Sequence, residues 1–152
     1  MDADLRVNAL YLSSRLRSRL ADAARCPVTT IIAPTGYGKT TAAQYLQRRI
    51  AAEAPDAYLF RQFLSGGGRQ EFWAGLCRAL HTAPQLPAQL RALGYPDSPH
   101  TRQQLLELVQ DALAGKPPVW FILDDVHLLS AGEAAELVSF LAERLPPQAH
   151  LI

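Results

Sequence analysis

Apolar residues recur along this chain in two alternating patterns, short β-type runs and longer stretches with helical spacing. The runs lie at 29–33, 58–64 and 119–123, and a further one begins near Leu151. Strands that alternate with helices predict an α/β fold with a mostly parallel central sheet between helical layers. Sheets of this kind bind ligands beyond the carboxyl ends of their strands.

The helical stretches are predicted from apolar residues three or four positions apart. They cover residues 9–24, 39–54, 72–80, 101–113 and the stretch after Ser130, where Ser130 and Glu133 predict a capping box. Prolines interrupt the periodicity between 83 and 100, which predicts irregular surface structure or a short helical excursion.

Charge and cysteine content limit the classes of protein to which this chain can belong. Fifteen Lys and Arg against fourteen Asp and Glu give no basic excess, so we expect any DNA contact to lie outside this chain. Cys26 and Cys77 have no metal-ligand spacing and are predicted to be small apolar residues in a reducing compartment. No apolar run approaches membrane-spanning length, and the amino terminus lacks the pattern of a secretion signal. These features predict a soluble cytoplasmic protein.

The segment from Ala33 to Thr41 reads Ala-Pro-Thr-Gly-Tyr-Gly-Lys-Thr-Thr, directly after a β-type run and before a helix. A triphosphate needs converging backbone N–H groups, a cation for its β and γ oxygens, and a hydroxyl for Mg²⁺. The full phosphate-loop pattern begins with glycine, where this chain has Ala33. The segment is predicted to bind a nucleotide through Gly36, Tyr37, Gly38, Lys39, Thr40 and Thr41. The alternative is a glycine turn before a helix that happens to contain Lys-Thr.

An acidic pair, Asp124-Asp125, follows the apolar run Val119–Leu123. Two carboxylates at the end of a buried strand are costly unless a cation, hydrogen-bond donors or water receive them. Asp124 is predicted to bind Mg²⁺ together with Thr40, and Asp125 to orient or deprotonate the attacking water. The alternative is a strand-end turn in which Asp caps a helix.

The sequence allows two roles each for His127 and for the arginines between residues 15 and 25. His127 has either a structural, hydrogen-bonding role or a role in sensing the γ-phosphate. The arginines between residues 15 and 25 form either a solvated helix face or a group near the nucleotide.

Together, the Ala33–Thr41 segment, the Phe72-Trp73 helix and Leu123-Asp-Asp-Val-His-Leu-Leu129 resemble the nucleotide-binding domain of MalT-like regulators. These are large ATP-binding LuxR-type transcription factors of the STAND class, within the AAA+-related P-loop NTPases. The resemblance spans roughly residues 9–152 and implies a three-layer P-loop NTPase fold, with residues 1–152 taken as one nucleotide-binding domain. Residues 1–27 would be a helical lead-in, and 28–152 an NTPase core that is incomplete at its carboxyl end.

The resemblance also implies a switch, in which ADP holds a resting form and ATP with an inducer opens a self-associating form. By the matching positions, Lys39 and Thr40 would bind phosphate and Mg²⁺, Asp124 would be the metal-side acid, and Asp125 the hydrolysis acid. ATP and ADP are the implied nucleotides, and the guanine-specific N-K-x-D pattern is not found.

The sequence is compatible with three functions for this nucleotide-binding domain. The first is a regulatory module that binds ATP and hydrolyses it slowly to control the assembly of a transcription activator, with DNA bound by a separate domain. The second is a P-loop kinase or other ATP-dependent enzyme, for which a lid rich in arginine is expected, whereas the 83–100 segment contains only Arg91. The third is a scaffold that binds nucleotide without hydrolysing it.

Overall fold

The computed structural model describes residues 12–64, 68–80, 85–129 and 132–152. Within them the elements are α1 (Ser14–Ala23), α2 (Lys39–Glu53), β1 (Tyr58–Phe63), α3 (Gly68–Ala79), α4 (Leu86–Leu93), α5 (Pro99–Leu113), β2 (Val119–Asp124), a 3₁₀ turn (Val126–Leu128), α6 (Glu133–Arg144) and β3 (Ala149–Leu151). Helices follow strands along the chain, which confirms the predicted α/β class.

The three strands form one parallel sheet in the order β1, β2, β3. The central strand β2 carries the unbroken apolar run, as expected for a strand that is covered on both faces. In register, Phe63 of β1 lies beside Asp124, the last residue of β2. The acidic pair therefore lies at the carboxyl edge of the sheet.

The predicted strand at 29–33 is not a strand in the structure. Only Val28 pairs with the sheet, through an isolated parallel bridge to Leu151 of β3. The backbone N–H of Thr29 donates to the Leu151 carbonyl oxygen at 2.8 Å, and no strand is assigned over 29–33. The residues that follow leave the sheet edge and border a cavity instead. Since Val28 joins the far side of β3, that strand lies between the loop segment and β2.

Side chains alternate between the two faces of the sheet and bury two separate cores. On one face, Leu59 and Trp120 pack with the core formed by α1 and α2, which includes Leu20, Leu46 and Ile50. On the other face, Phe60 and Phe121 pack with the larger core formed by α3, α4, α5 and α6. The sheet thus lies between two helical layers.

Helix α2 confirms its prediction, because Ala42, Ala43, Leu46 and Ile50 are its buried residues. Helix α1 begins at Ser14, later than the predicted residue 9, because the Ser13 hydroxyl oxygen caps it by accepting from the backbone N–H of Leu16 at 3.2 Å. Residues 9–11 lie outside the described residues.

Two predictions on later helices have different outcomes. The segment between 83 and 100 contains α4, so the helical alternative is confirmed, but Leu86 and Leu90 are buried and the segment is not only surface structure. Ser130 lies outside the described residues, so the predicted capping box cannot be placed there. Helix α6 begins at Glu133, after Gly132 in an extended conformation. Across the described ranges, none of the helices has both the length and the apolar character needed to cross a bilayer.

Candidate nucleotide-binding site

A cavity of about 610 Å³ opens at the carboxyl end of β2. One wall is the segment from Val28 to Thr35, and the other is built from the end of β2, its following turn and α6. Lys39, Asp124, Asp125 and His127 all line this cavity. The structure therefore brings the lysine of the loop and both carboxylates to one space, although they are about 85 positions apart in sequence.

The glycine turn of the loop has a conformation that its sequence requires. Gly36 and Gly38 have φ angles of 83° and 80°, in the left-handed region that glycine adopts without a Cβ penalty. Gly38 is the residue before α2, and its carbonyl oxygen accepts the N–H of Ala42 at 2.8 Å. Helix α2 therefore starts directly at Lys39, and its first N–H groups and positive dipole end lie at the loop.

The Lys39 ammonium lies back over the loop. Its Nζ donates to the carbonyl oxygens of Ala33 at 2.8 Å and Pro34 at 3.2 Å. A charged phosphate is a stronger acceptor for an ammonium than a neutral carbonyl. These contacts hold the cation beside the cavity that would receive an anion.

The two carboxylates have different surroundings. Asp124 is buried, with 6% of its surface exposed, and its Oδ1 accepts the backbone N–H of Asp125 at 3.1 Å. Its Oδ2 accepts from Nη2 of Arg61 at 2.6 Å. Asp125 is half-buried and has a φ of 63°, a left-handed conformation that Asp tolerates better than most residues. This turn lets Asp124 stay paired with Arg61 in the sheet while Asp125, the next residue, also borders the cavity.

Arg61, which contacts Asp124, is not part of either sequence motif. It lies on β1 beside Ile122 of β2, on the same face of the sheet as Asp124. The available signal was a charged residue inside a β-type run, Leu59-Phe60-Arg61-Gln62-Phe63. Such a residue is rarely buried without a partner.

Other predicted site residues are not all brought to the cavity. The described residues that line the cavity do not include Gly36, Tyr37, Gly38, Thr40 or Thr41. Tyr37 is 77% exposed, and Thr40 is also exposed. Thr40 is thus not among the residues that line the cavity with Asp124, and their joint role at a metal stays a prediction.

His127 and the arginines near α1 lie at exposed or half-exposed positions. His127 is exposed, and its Nδ1 lies 3.9 Å from Oδ1 of Asp125, too far for a hydrogen bond. Arg15, Arg19 and Arg25 are exposed, and Arg17 is half-exposed. None of these arginines is a lining residue of the cavity, which favours the solvated helix face.

The residues present fit a nucleotide with Mg²⁺. The loop offers phosphate the ammonium of Lys39 and the amino terminus of α2. Both follow Gly36 and Gly38, whose left-handed backbone conformation other residues avoid. The carboxylates of Asp124 and Asp125 and the hydroxyl of Thr40 are oxygen donors, which Mg²⁺ prefers. The ion would supply charge neutralisation at the β- and γ-phosphates.

Comparison with known families agrees with this geometry. Residues 22–149 match a family model described as an AAA domain. The match covers most of the chain, so this protein belongs to the AAA domain family and contains an AAA-type P-loop NTPase domain. Domains of this type bind nucleotide, usually with Mg²⁺. Comparisons with curated proteins and with solved structures gave no match.

Proposed function

We propose that this chain is the ATP-binding regulatory module of a MalT-like, LuxR-type transcription activator of the STAND class. Its nucleotide state controls self-assembly, and it hydrolyses ATP slowly. The observation that carries the nucleotide-binding part is the single cavity lined by Lys39, Asp124 and Asp125. The regulator part is supported by the Ala33–Thr41 and Leu123–Leu129 segments, which combine two motifs of that class.

Each site residue has a proposed role. Lys39 binds the β- and γ-phosphates and stabilises the charge that develops during hydrolysis. Gly36, Tyr37, Gly38 and Thr41 complete the phosphate-binding loop. Thr40 and Asp124 bind Mg²⁺, for which the loop must move Thr40 towards the cavity. Asp125, which already borders the cavity, orients or deprotonates water.

The proposal extends to the organisation of the protein. Residues 28–152 form the nucleotide-binding core and residues 1–27 a helical lead-in, of which α1 packs on the sheet through Leu20. DNA is bound by another domain of the activator, and the protein acts in the cytoplasm.

ATP affinity of the Lys39→Ala variant tests the loop assignment. Loss of a charge-assisted contact to phosphate costs about 1.5–3 kcal/mol, so we expect Kd to rise by about tenfold or more. The control is Lys116→Ala, which removes the chain's other lysine at an exposed position. Titration calorimetry that gives equal affinity for wild type and Lys39→Ala would refute the assignment.

Hydrolysis by the Asp125→Asn variant tests the catalytic part. Asn also tolerates the left-handed backbone that Asp125 adopts, so the fold and ATP affinity should be retained. We expect phosphate release to slow by about a hundredfold or more, the usual effect of losing an acid–base group. Asp111→Asn, at an exposed position on α5, is the control. An unchanged rate removes the role of Asp125, and no release by wild type favours the non-hydrolysing scaffold.

A further inference from the structure

Arg61 and Asp124 form a buried ion pair between neighbouring strands. Nη2 of Arg61 lies 2.6 Å from Oδ2 of Asp124, and the two side chains are 8% and 6% exposed. Removing one partner of such a pair leaves an uncompensated charge away from water, which is strongly unfavourable. The guanidinium therefore compensates the charge of this buried carboxylate.

Arg61 also reaches the helix that follows the loop. Its Nη1 donates to Oε1 of Gln47 on α2 at 3.4 Å. The same guanidinium thus contacts the helix that begins at Lys39 and the strand that ends at Asp124. A planar guanidinium with several donors can make both contacts at once.

Both oxygens of Asp124 are already engaged, one by Arg61 and the other by the backbone N–H of Asp125. The pair of Arg61 and Asp124 is neutral, so it attracts a free divalent cation weakly. A second cation beside the guanidinium is favoured only when additional negative charge enters the cavity. The phosphates of a nucleotide bring that charge.

We infer that Arg61 is a positioning residue that takes the place of a metal ion at Asp124 in the nucleotide-free chain. It makes Mg²⁺ binding at this carboxylate depend on nucleotide phosphates. This inference rests on the proposed function, because it takes Asp124 as the metal-side acid. Arg61 is not among the described residues that line the cavity, so it acts through Asp124.

Thermal unfolding of the nucleotide-free Arg61→Gln variant is the first test. Without the guanidinium, Mg²⁺ becomes the cation for Asp124, so added MgCl₂ should raise the Tm of this variant by several degrees more than that of wild type. Arg49→Gln is the matched control, since Arg49 forms an exposed ion pair with Glu53. Equal responses to MgCl₂ in wild type and Arg61→Gln would overturn the inference.

ATP affinity with and without Mg²⁺ is the second measurement. Coupling between two ligands is reciprocal, so a variant that already binds Mg²⁺ without nucleotide gains less ATP affinity from Mg²⁺. The Kd for ATP without Mg²⁺ divided by the Kd with Mg²⁺ should therefore be at least about tenfold smaller for Arg61→Gln than for wild type. A purely structural ion pair would lower stability and leave this ratio unchanged, which would contradict the inference. Asp124→Asn separates the two proposals. If this variant keeps the wild-type ratio, the metal role in the proposed function fails; if it loses the Mg²⁺ dependence while Arg61→Gln behaves as wild type, only the inference fails.

A measurement on wild type covers the case in which Arg61→Gln does not fold. Mn²⁺ binding, followed by electron paramagnetic resonance, should be undetectable at Asp124 in the nucleotide-free chain and appear when ATP is added. Binding to the nucleotide-free chain that disappears in Asp124→Asn would overturn the inference.

Discussion

The indole N–H of Trp120 donates to the carbonyl oxygen of Ala24 at 3.0 Å, which joins the central strand to the end of α1. Two further side chains contact the same short segment. The Thr29 hydroxyl donates to the Ala23 carbonyl oxygen at 2.6 Å, and Nδ1 of His150 lies 3.0 Å from the Cys26 carbonyl oxygen. Side chains thereby contact carbonyl oxygens at and just beyond the end of the helix, where intrahelical partners are missing.

Trp120→Phe should loosen the end of α1. The substitution keeps an aromatic ring in the core but removes the donor to Ala24, so we expect a loss of about 1 kcal/mol in unfolding free energy. Hydrogen exchange of the amides in the last turn of α1 should become faster. Trp73→Phe, in the opposite core, is the control, and equal exchange in α1 for both variants would contradict the role of this contact.

Gly38→Ala should destabilise the chain through the backbone. The φ of 80° costs a non-glycine residue about 1–2 kcal/mol, whereas an added Cβ would meet only the Thr41 Cβ at 3.9 Å. Urea unfolding should therefore show a loss of about this size. Gly132→Ala is the control, because Gly132 has a φ of −178° that any residue adopts. Equal losses in the two variants would rule out left-handed strain as the cause.

Leu90→Ala should have a large effect although it lies in the proline-rich segment. Leu90 is 0% exposed in α4, and a fully buried Leu→Ala change costs about 2–5 kcal/mol. Chemical denaturation measures this loss, with Arg91→Ala at the exposed neighbouring position as the control. A loss as small as that of the control would mean that α4 does not belong to the core.

The two cysteines should react at very different rates. Burial raises the pKa of the Cys77 thiol, so less of it is thiolate at neutral pH, and its side chain is also shielded. Cys26 is exposed. A disulfide reagent should modify one thiol per native chain quickly, and Cys26→Ser should remove this fast phase. Rapid modification of Cys77 in the native Cys26→Ser variant at neutral pH would contradict its burial.

The same raised pKa has a consequence for stability. The native state holds the Cys77 proton more tightly than the unfolded state, so this thiol's contribution is fully present below the unfolded pKa. It is lost as pH rises through the native pKa. Cys77→Ala should therefore flatten the alkaline side of the pH–stability profile, and a profile of unchanged slope would contradict this.

The sequence predicted those parts of the fold that depend on local pattern. The run from Val119 to Leu123 predicted a buried central strand, and the spacing from Ala42 to Ile50 predicted the buried face of α2. The segment at 29–33 was predicted wrongly because β propensity describes a residue's own preference and contains no information about its pairing partner. Only Val28 has a partner in the sheet.

Similar reasons explain the outcome for the site. Lys39, Asp124 and Asp125 could be singled out because each occupies a recognisable position in a short motif; the structure places all three at one cavity, and their roles stay predictions. Arg61 was missed because its partner is 63 positions away, and only the register of β1 with β2 brings them into contact. Pro87 suggested a break in helical structure, yet proline is compatible with the first turn of a helix, where α4 contains it.

Because β3 lies between Val28 and β2, it sets the distance between the two walls of the cavity that begin at Val28 and at the end of β2. Neighbouring strands are about 4.8 Å apart, so Val28, where the loop segment starts, and β2, which ends at Asp124, are separated by about 10 Å. That span is fixed by main-chain hydrogen bonds and is independent of the residues that face the ligand. Side-chain substitutions in β3 that preserve this pairing should leave the distance unchanged, whereas a proline there would remove a main-chain donor and disturb it.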